Sequence, residues 1–508
     1  VSFTVTARTA VLPLVLALDV GSTATRGGLY DATGQPLSGL RHKVGHQFTT
    51  GADGTSTIDP DQVTAEVCEI IAKVLTAHLA QARSAKAAAP ISAVSIDTFS
   101  SSLVGVDADG RAITPCWTYA DSRCAAEVAL LREELDEAEV QQRTGTRLHT
   151  SYLAARFRWL HRTDPALVAR VATWMSLSEY VHQQLLGTTA AGTSVAAWSG
   201  LLNRHTADWD PEQLTVAGID AGRLSPVHHP DQTLAPVRPP KESRTGLSRK
   251  LWALLAEARW IPGISDGLAS NIGAGGIDEE SAVIAAATSG AMRVLVGHTP
   301  ERVGTGLWCY RVDATRSLVG GALNDVGRAV SWLADTVRLP EDVPLTELVA
   351  GAPSTTTPLV LPFFSGERST GWAGGARAVV TGLSAAHGPA DLARGVIEGV
   401  ALSYARVAAQ LREVAGTPRR ILASGRVSTE IPALLPILAD VLQAEVTPVA
   451  IKRSTLRGTA IVALDVVAPD VPRAPVVHGD SLQPAPDRAE HYAARLAGFA
   501  DSYQRLYG

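Results

Sequence analysis

The sequence predicts an α/β protein of more than one domain, and three observations carry that prediction. At 508 residues the chain exceeds what one hydrophobic core usually organises. Short apolar runs of strand length alternate with longer stretches of helical periodicity. The second half then repeats the grammar of the first. In each half an apolar strand runs into a turn of glycine and hydroxyl residues, Gly21-Ser22-Thr23 and Thr288-Ser289-Gly290. Hydrophobic residues make up 46% of the chain and charged residues 19%, the balance of an ordinary globular protein. A net charge of -5 gives no global reason to expect nucleic acid or an anionic membrane as partner.

Taken in order, residues 1–9 read as an extension, and Leu14–Val20 as a central strand apolar on both faces. The apolar run 10–20 lacks a small-x-small cleavage site and is too short to span a bilayer, so a buried strand is expected there rather than a leader or a membrane segment. A second strand begins at Leu29 and Tyr30, which puts Asp19 and Gly21-Ser22-Thr23 at a hairpin tip. A helix is expected over Pro60–Ala82 from the stripe Val63, Val67, Ile70, Ile71, Val74 and Leu75. Ile91–Ile96 is the next strand, ending at Asp97-Thr98. Helices dominate from Ala125 to Leu186, Gly192–Asp210 reads as a loop, and Leu247–Ala258 as helical.

A domain boundary is expected just before the strand at Trp260, giving domains 1–258 and 259–508. Beyond it, Val283–Ala287 and Arg293–Val296 read as strands, Pro389–Ala415 as a long helix, Ile421–Ser424 as a strand ending at Gly425, and Thr455–Leu464 as an apolar helix. Cys68, Cys116, Cys124 and Cys309 show no C-x-x-C spacing, so neither a zinc site nor a disulfide framework is indicated, and a reducing cytoplasm fits.

Asp266 is the first candidate for chemistry. It ends an apolar strand and precedes a helix start, the place where α/β proteins keep reactive groups, and a lone carboxylate there suits a general base acting on an alcohol. The competing reading is a helix N-cap. Backbone N–H groups and hydroxyls in a glycine turn hold phosphate, and an acid beside them holds hydrated Mg²⁺, which makes Asp19, Gly21, Ser22 and Thr23 candidates; a plain hairpin turn competes. Arg26 either neutralises transferring charge or is a solvated surface residue. Asp121 and Arg123 either bind polyol hydroxyls or form a surface ion pair.

In this order the motifs resemble the FGGY family of carbohydrate kinases, and within it the gluconokinase-like members. The likeness covers roughly residues 13–465 and rests on LALDVGSTATRGGLYD, TYADSR, SLSEYVHQQLLG with GLLNRHTADWD, ISDGLASNIGAGG, ATSGAMRV, NDVGRAVSWL, LPFFSGERSTGW and ASGRVSTEIPALLPILADVL. It implies two ribonuclease-H-like (actin-like ATPase) domains flanking a catalytic cleft, with ATP and Mg²⁺ as cofactors. Asp266 then matches the catalytic base and Asp19 the residue that holds Mg²⁺ through water. Gly21, Ser22, Thr23, Arg26, Thr288, Ser289, Gly290, Gly327, Gly425 and Arg426 fall at the nucleotide. Thr98, Ser101, Asp121, Arg123 and Asp266 fall at the sugar. A homodimer is a further implication of the resemblance.

The chain departs from the family's pattern in three places. Ser101 stands where many members carry a sugar-contacting His; serine still donates and accepts a hydrogen bond, but is shorter and uncharged. Arg426 follows Gly425 where a second glycine is usual, which puts a side chain near the adenosine. Pro436 stands where a polar residue is more usual. The expected activity is ATP-dependent phosphorylation of a hydroxyl of a small sugar or sugar acid, gluconate first. Alternatives are a xylulokinase-like or other pentulose or polyol kinase, and a non-catalytic sugar- or nucleotide-binding regulator. An actin- or chaperone-like ATPase fits less well, because no peptide-binding region is present.

Overall fold

A computed structural model describes residues 3–85, 88–237, 246–340, 342–425, 431–451 and 453–508. The chain forms two compact units. The first comprises Val1–Gly273, Cys309–Ser317 and Arg453–Pro475; the second comprises Ala274–Trp308, Leu318–Lys452 and Val476–Gly508.

The first unit is built on β1 (Leu14–Val20), β2 (Ala24–Tyr30), β3 (Pro36–Gly45), β4 (Ile91–Thr98), β5 (Arg259–Trp260) and β6 (Ile264–Ser265). The sheet runs β5–β4–β1–β2–β3, with β6 also on β4. β1 pairs antiparallel with β2 and parallel with β4, and β5 and β6 continue parallel on β4. All seven residues of β1 are buried, as a central strand covered on both faces requires. Helix α1 (Pro60–Ala85) lays Val63, Val67, Ile70, Ile71, Val74 and Leu75 into this core, the stripe that its periodicity predicts. A second core of the same unit gathers Leu103, Trp117, Val128, Phe157, Leu160 and Trp174 from the helical region that follows β4.

The second unit repeats the plan with β7 (Ser281–Ala286), β8 (Gly290–Val296), β9 (Ser317–Leu323), β10 (Arg420–Gly425) and β11 (Val446–Pro448), in the path β9–β8–β7–β10–β11. β7 pairs antiparallel with β8 and parallel with β10, and β10 is parallel to β11. Helix α3 (Gly327–Thr336) follows β9, and helix α4 spans Pro389–Ala415, with Val396, Val400, Leu402 and Val407 buried.

The units do not divide the chain at 258. β5 and β6 complete the first sheet, so Asp266 and its helix α2 (Asp266–Gly273) belong with the first unit rather than with the one that follows. The segment Arg453–Pro475 also returns to the first unit, as helix α6 (Ser454–Val467). The reason is close packing. A Cβ at Gly273 would lie 1.7 Å from the Ser454 carbonyl oxygen, and one at Gly458 would lie 1.8 Å from that of Ala269. Backbone thus meets backbone between α2 and α6, which only glycine permits at these two positions.

Local readings also shift. The run read as a loop contains a helix, Thr193–Trp198, whose Val195, Ala196 and Ala197 are buried; that burial overrides the weak helix propensity of Thr193 and Ser194. The helix read over Leu247–Ala258 is a short turn, Arg249–Trp252, followed by a 3₁₀ turn, Ala253–Leu255. Pro436 is the third residue of helix α5 (Leu434–Leu442), an early position that tolerates proline, and is exposed. Among the described residues no helix is long and apolar enough to cross a membrane.

Candidate active site

Three strand ends of the first sheet bring three acids together. Asp19 near the end of β1 stands in register with Asp97 of β4 on one side and with Arg26 of β2 on the other. β6 runs directly into Asp266, and its Ile264 is in register with Asp97. Parallel strands ending together at a helix start form the edge where open α/β sheets bind ligands.

Arg26 donates from Nη1 to Asp19 Oδ2 at 3.1 Å. A Cβ at Gly21 would lie 3.2 Å from that Nη1 and 3.6 Å from Asp19 Oδ1, so the bare glycine leaves room for the pair. Asp97 is fully buried, and Thr459 of α6 donates its hydroxyl to Asp97 Oδ2. No N–H or conventional hydroxyl donor reaches Asp97 Oδ1 among the described residues. Burial, with the charge of Asp19 beside it and that of Asp266 beyond, raises the Asp97 carboxyl well above the usual carboxylate range, against the pull of Thr459. Burial also raises Asp19, but Arg26 opposes it there. Burial thus favours a proton within this pair of carboxyls, with the Arg26 guanidinium opposing it at Asp19.

Asp266 is half-buried at the start of α2. Its Oδ1 accepts from the Ser100 hydroxyl at 2.9 Å and from the Gly267 N–H at 2.8 Å. One carboxylate oxygen is thus held by the first turn of the helix and by Ser100, which orients the side chain. Ser101 adopts φ 57°, and its hydroxyl donates to the Trp198 carbonyl at 2.6 Å. Trp198 stacks on Tyr310 with ring centroids 3.7 Å apart. Thr98 is buried, in register with Ser265. Asp121 is buried and closed by Arg123, whose Nη2 lies 2.7 Å from Asp121 Oδ2, and by the Ser56 N–H at 3.0 Å. Arg123 also lies 4.6 Å over the Trp159 ring.

The second unit collects the other set. Thr288 and Ser289 are exposed in the turn between β7 and β8. Val326 and Arg328 donate their N–H groups to the Thr288 carbonyl, and Gly327 donates to that of Ala287 at 2.8 Å. A Cβ at Gly327 would lie 2.6 Å from the Ala287 oxygen. At Gly425, with φ 92°, one would lie 2.4 Å from the Ala286 oxygen, and at Gly290 one would meet the Tyr404 hydroxyl at 2.1 Å. All three glycines are thus required by close approach around one turn. Arg426 lies outside the described residues.

Sequence reasoning missed Asp97 and Ser100 as site members. The signal for Asp97 was present, since its strand ends in an acid just as those of Asp19 and Asp266 do.

Comparison with known proteins gives the family and the fold. The model of the FGGY family of carbohydrate kinases matches its N-terminal domain to residues 14–252 and its C-terminal domain to residues 282–465. The gluconokinase of Bacillus subtilis (strain 168) is 25% identical over 467 residues, covering 89% of this chain and 87% of that protein. The glycerol kinase of Gloeobacter violaceus is 29% identical over 474 residues, covering 89% and 88%. Among solved structures, a gluconate kinase from Lactobacillus acidophilus has a TM-score of 0.86 at 24% identity, covering 97% of this chain and 98% of its own. A xylulose kinase from Rhodospirillum rubrum has a TM-score of 0.87 at 24% identity, covering 97% and 99%. Those likenesses speak for the fold, and relatives named for different acceptors match alike, so no one acceptor is singled out. With both family domains matched over most of its length, the chain belongs to the FGGY family of carbohydrate kinases, a phosphotransferase that uses ATP on a sugar or polyol.

Proposed function

We propose that the chain transfers the γ-phosphoryl group of ATP to one hydroxyl of a small sugar or sugar acid, gluconate first, with Asp266 as the general base. The observation that carries the reading is the Asp266 carboxylate, oriented by Ser100 and half-buried at the sheet edge that also presents Asp19 and Arg26. Asp266 takes the proton of the attacking hydroxyl as the oxygen–phosphorus bond forms, and ADP leaves. Phosphoryl transfer asks the protein chiefly for positioning and charge neutralisation. Arg26 supplies positive charge on the first unit. Gly21, Ser22, Thr23, Thr288, Ser289 and Gly290 offer donors to phosphates, and Gly327 and Gly425 keep side chains away from the nucleotide.

A hydrated Mg²⁺ fits the donor set. Asp19 is paired with Arg26 beside an exposed hydroxyl turn, and Mg²⁺ commonly takes one or two carboxylates with waters and phosphate oxygens. When bound it supplies neutralisation of phosphate charge. Asp19 would hold it through water, and Arg26 orients that carboxylate.

On the sugar, the reading assigns contacts to Thr98, Ser101, Asp121 and Arg123. Gluconate draws on the relatives of that name. One observation favours a second acceptor class, a neutral pentulose such as xylulose or another polyol: Arg123 is already closed on Asp121 and stacked on Trp159, which weakens it as a partner for the substrate's carboxylate. A homodimer in a reducing cytoplasm remains part of the proposal, on the family resemblance and the unpaired cysteines. The test is ADP release with Mg-ATP over a panel of sugars, sugar acids and polyols. Turnover with gluconate supports the first acceptor, turnover with a ketose or polyol alone supports the second, and silence across the panel overturns the reading.

A further inference from the structure

His46 lies just past β3 and takes no part in the chemistry above, yet it holds the first hydroxyl turn at two points. Its backbone N–H donates to the Thr23 carbonyl at 3.1 Å. Its ring Nε2 stands 2.8 Å from the Gly21 carbonyl oxygen. A carbonyl oxygen only accepts, so Nε2 carries a hydrogen and donates it. On the far side of the ring, Nδ1 stands 2.8 Å from Glu66 Oε2. Glu66 is itself fixed: Oε2 accepts from the Thr25 hydroxyl at 2.7 Å, and Oε1 accepts from Gln62 Nε2 at 2.9 Å. The His46 side chain has no exposed surface, and that of Glu66 is 7% exposed.

The arrangement has a consequence for anion binding. A three-residue turn carries carbonyl oxygens as well as N–H groups, and an oxygen facing a phosphate repels it. Here the Gly21 and Thr23 carbonyls are drawn onto His46, while the Ser22 and Thr23 residues stay exposed. We propose that the His46–Glu66 pair positions the first phosphate turn, the ring turning the Gly21 carbonyl inward beside the Thr23 carbonyl held by the His46 backbone N–H, so that the turn's donors face a nucleoside triphosphate. The inference rests on the kinase reading for the identity of that ligand. His46 is a positioning residue; it touches the turn and not the reacting atoms. A carboxylate behind a histidine fixes the ring's orientation, as it does for histidines that hold metals.

Two substitutions separate this role from packing. His46→Phe keeps a ring beside Phe48, which His46 stacks on at 6.4 Å, and removes the donor. His46→Gln removes the ring and keeps an N–H near the place of Nε2. We expect His46→Phe to raise the KM for Mg-ATP about ten-fold, the scale of one hydrogen bond lost with its acceptor left buried, while the sugar KM and kcat stay within about two-fold. His46→Gln recovers most of that loss. A Phe variant milder than the Gln variant, or an unchanged KM for Mg-ATP in both, overturns the proposal. Should both variants fail to fold on thermal melting, Glu66→Gln decides: a rise in the calorimetric Kd for Mg-ADP supports the proposal, and an unchanged Kd overturns it. A wild type that neither binds Mg-ATP nor turns over any sugar overturns the kinase reading and this inference with it. A wild type that binds, with variants that bind equally, overturns the inference alone.

Discussion

Gly21–Thr23 and Thr288–Gly290 each join the first two antiparallel strands of a sheet, and both present exposed hydroxyls. Around the first turn the neighbours are charged: Asp19, Arg26 and Asp97 share one register line, and Asp266 follows the strand beside them. Around the second the neighbours are backbone and glycine, with the N–H groups of Val326, Gly327 and Arg328 turned onto the Ala287 and Thr288 carbonyls and Gly425 pressed against Ala286. One frame therefore carries two kinds of turn. In the first unit charged side chains surround it; in the second, their absence lets the backbone come close.

Four variants break or sharpen that contrast. Asp266→Asn has the largest expected effect. It lowers kcat about 10²- to 10⁴-fold, the range for losing a general base, and leaves the KM for Mg-ATP nearly unchanged in steady-state assays. Gly425→Ala probes the other side. Its Cβ meets the Ala286 oxygen at 2.4 Å in a left-handed conformation, so chemical denaturation should show a loss of about 2–3 kcal/mol, the scale of such strain.

The third is a pH test of the charged turn in metal-free, nucleotide-free protein. Asp97 keeps its proton in the folded state to higher pH than in the unfolded chain, so above about pH 4 the native state binds more protons than the unfolded one. Stability then falls as pH rises, by up to about 1.4 kcal/mol per pH unit for one proton, until the folded-state value is passed. Asp97→Asn, which mimics the neutral acid, removes that fall. Denaturation curves of the two proteins should diverge with rising pH, the variant becoming the more stable; parallel curves would remove the retained proton from the account. The fourth and smallest effect is the double change Thr288→Ala with Ser289→Ala. It raises the KM for Mg-ATP about ten-fold, the scale of one or two hydrogen bonds, at nearly constant kcat.

Much of the frame was legible in the sequence because its strands are short apolar runs with acids or glycine turns at their ends. The long helix Pro389–Ala415 and the strand Leu14–Val20 keep their expected limits, since apolar periodicity and burial agree there. What escaped depends on register and return paths. Asp97 gains meaning only when β4 is aligned with β1, so that one acid faces another. Ser100 meets Asp266 across 166 residues of sequence, and Thr459 meets Asp97 across 362. Periodicity says that Thr455–Leu464 is helical and not which sheet it covers; the glycine contact between Gly458 and Ala269 decides that. For the same reason the expected boundary at 258 separated Asp266 from the sheet that holds it.

The central claim is that the first unit's carboxylates perform the transfer while the second unit's turn only holds the nucleotide. The most direct test is the single-turnover rate of phosphoryl transfer at saturating Mg-ATP and sugar, measured for Asp266→Asn and for the Thr288→Ala, Ser289→Ala double variant. The account predicts a rate lost in the first and near wild type in the second. Equal losses in both, or a larger loss in the second, would contradict it.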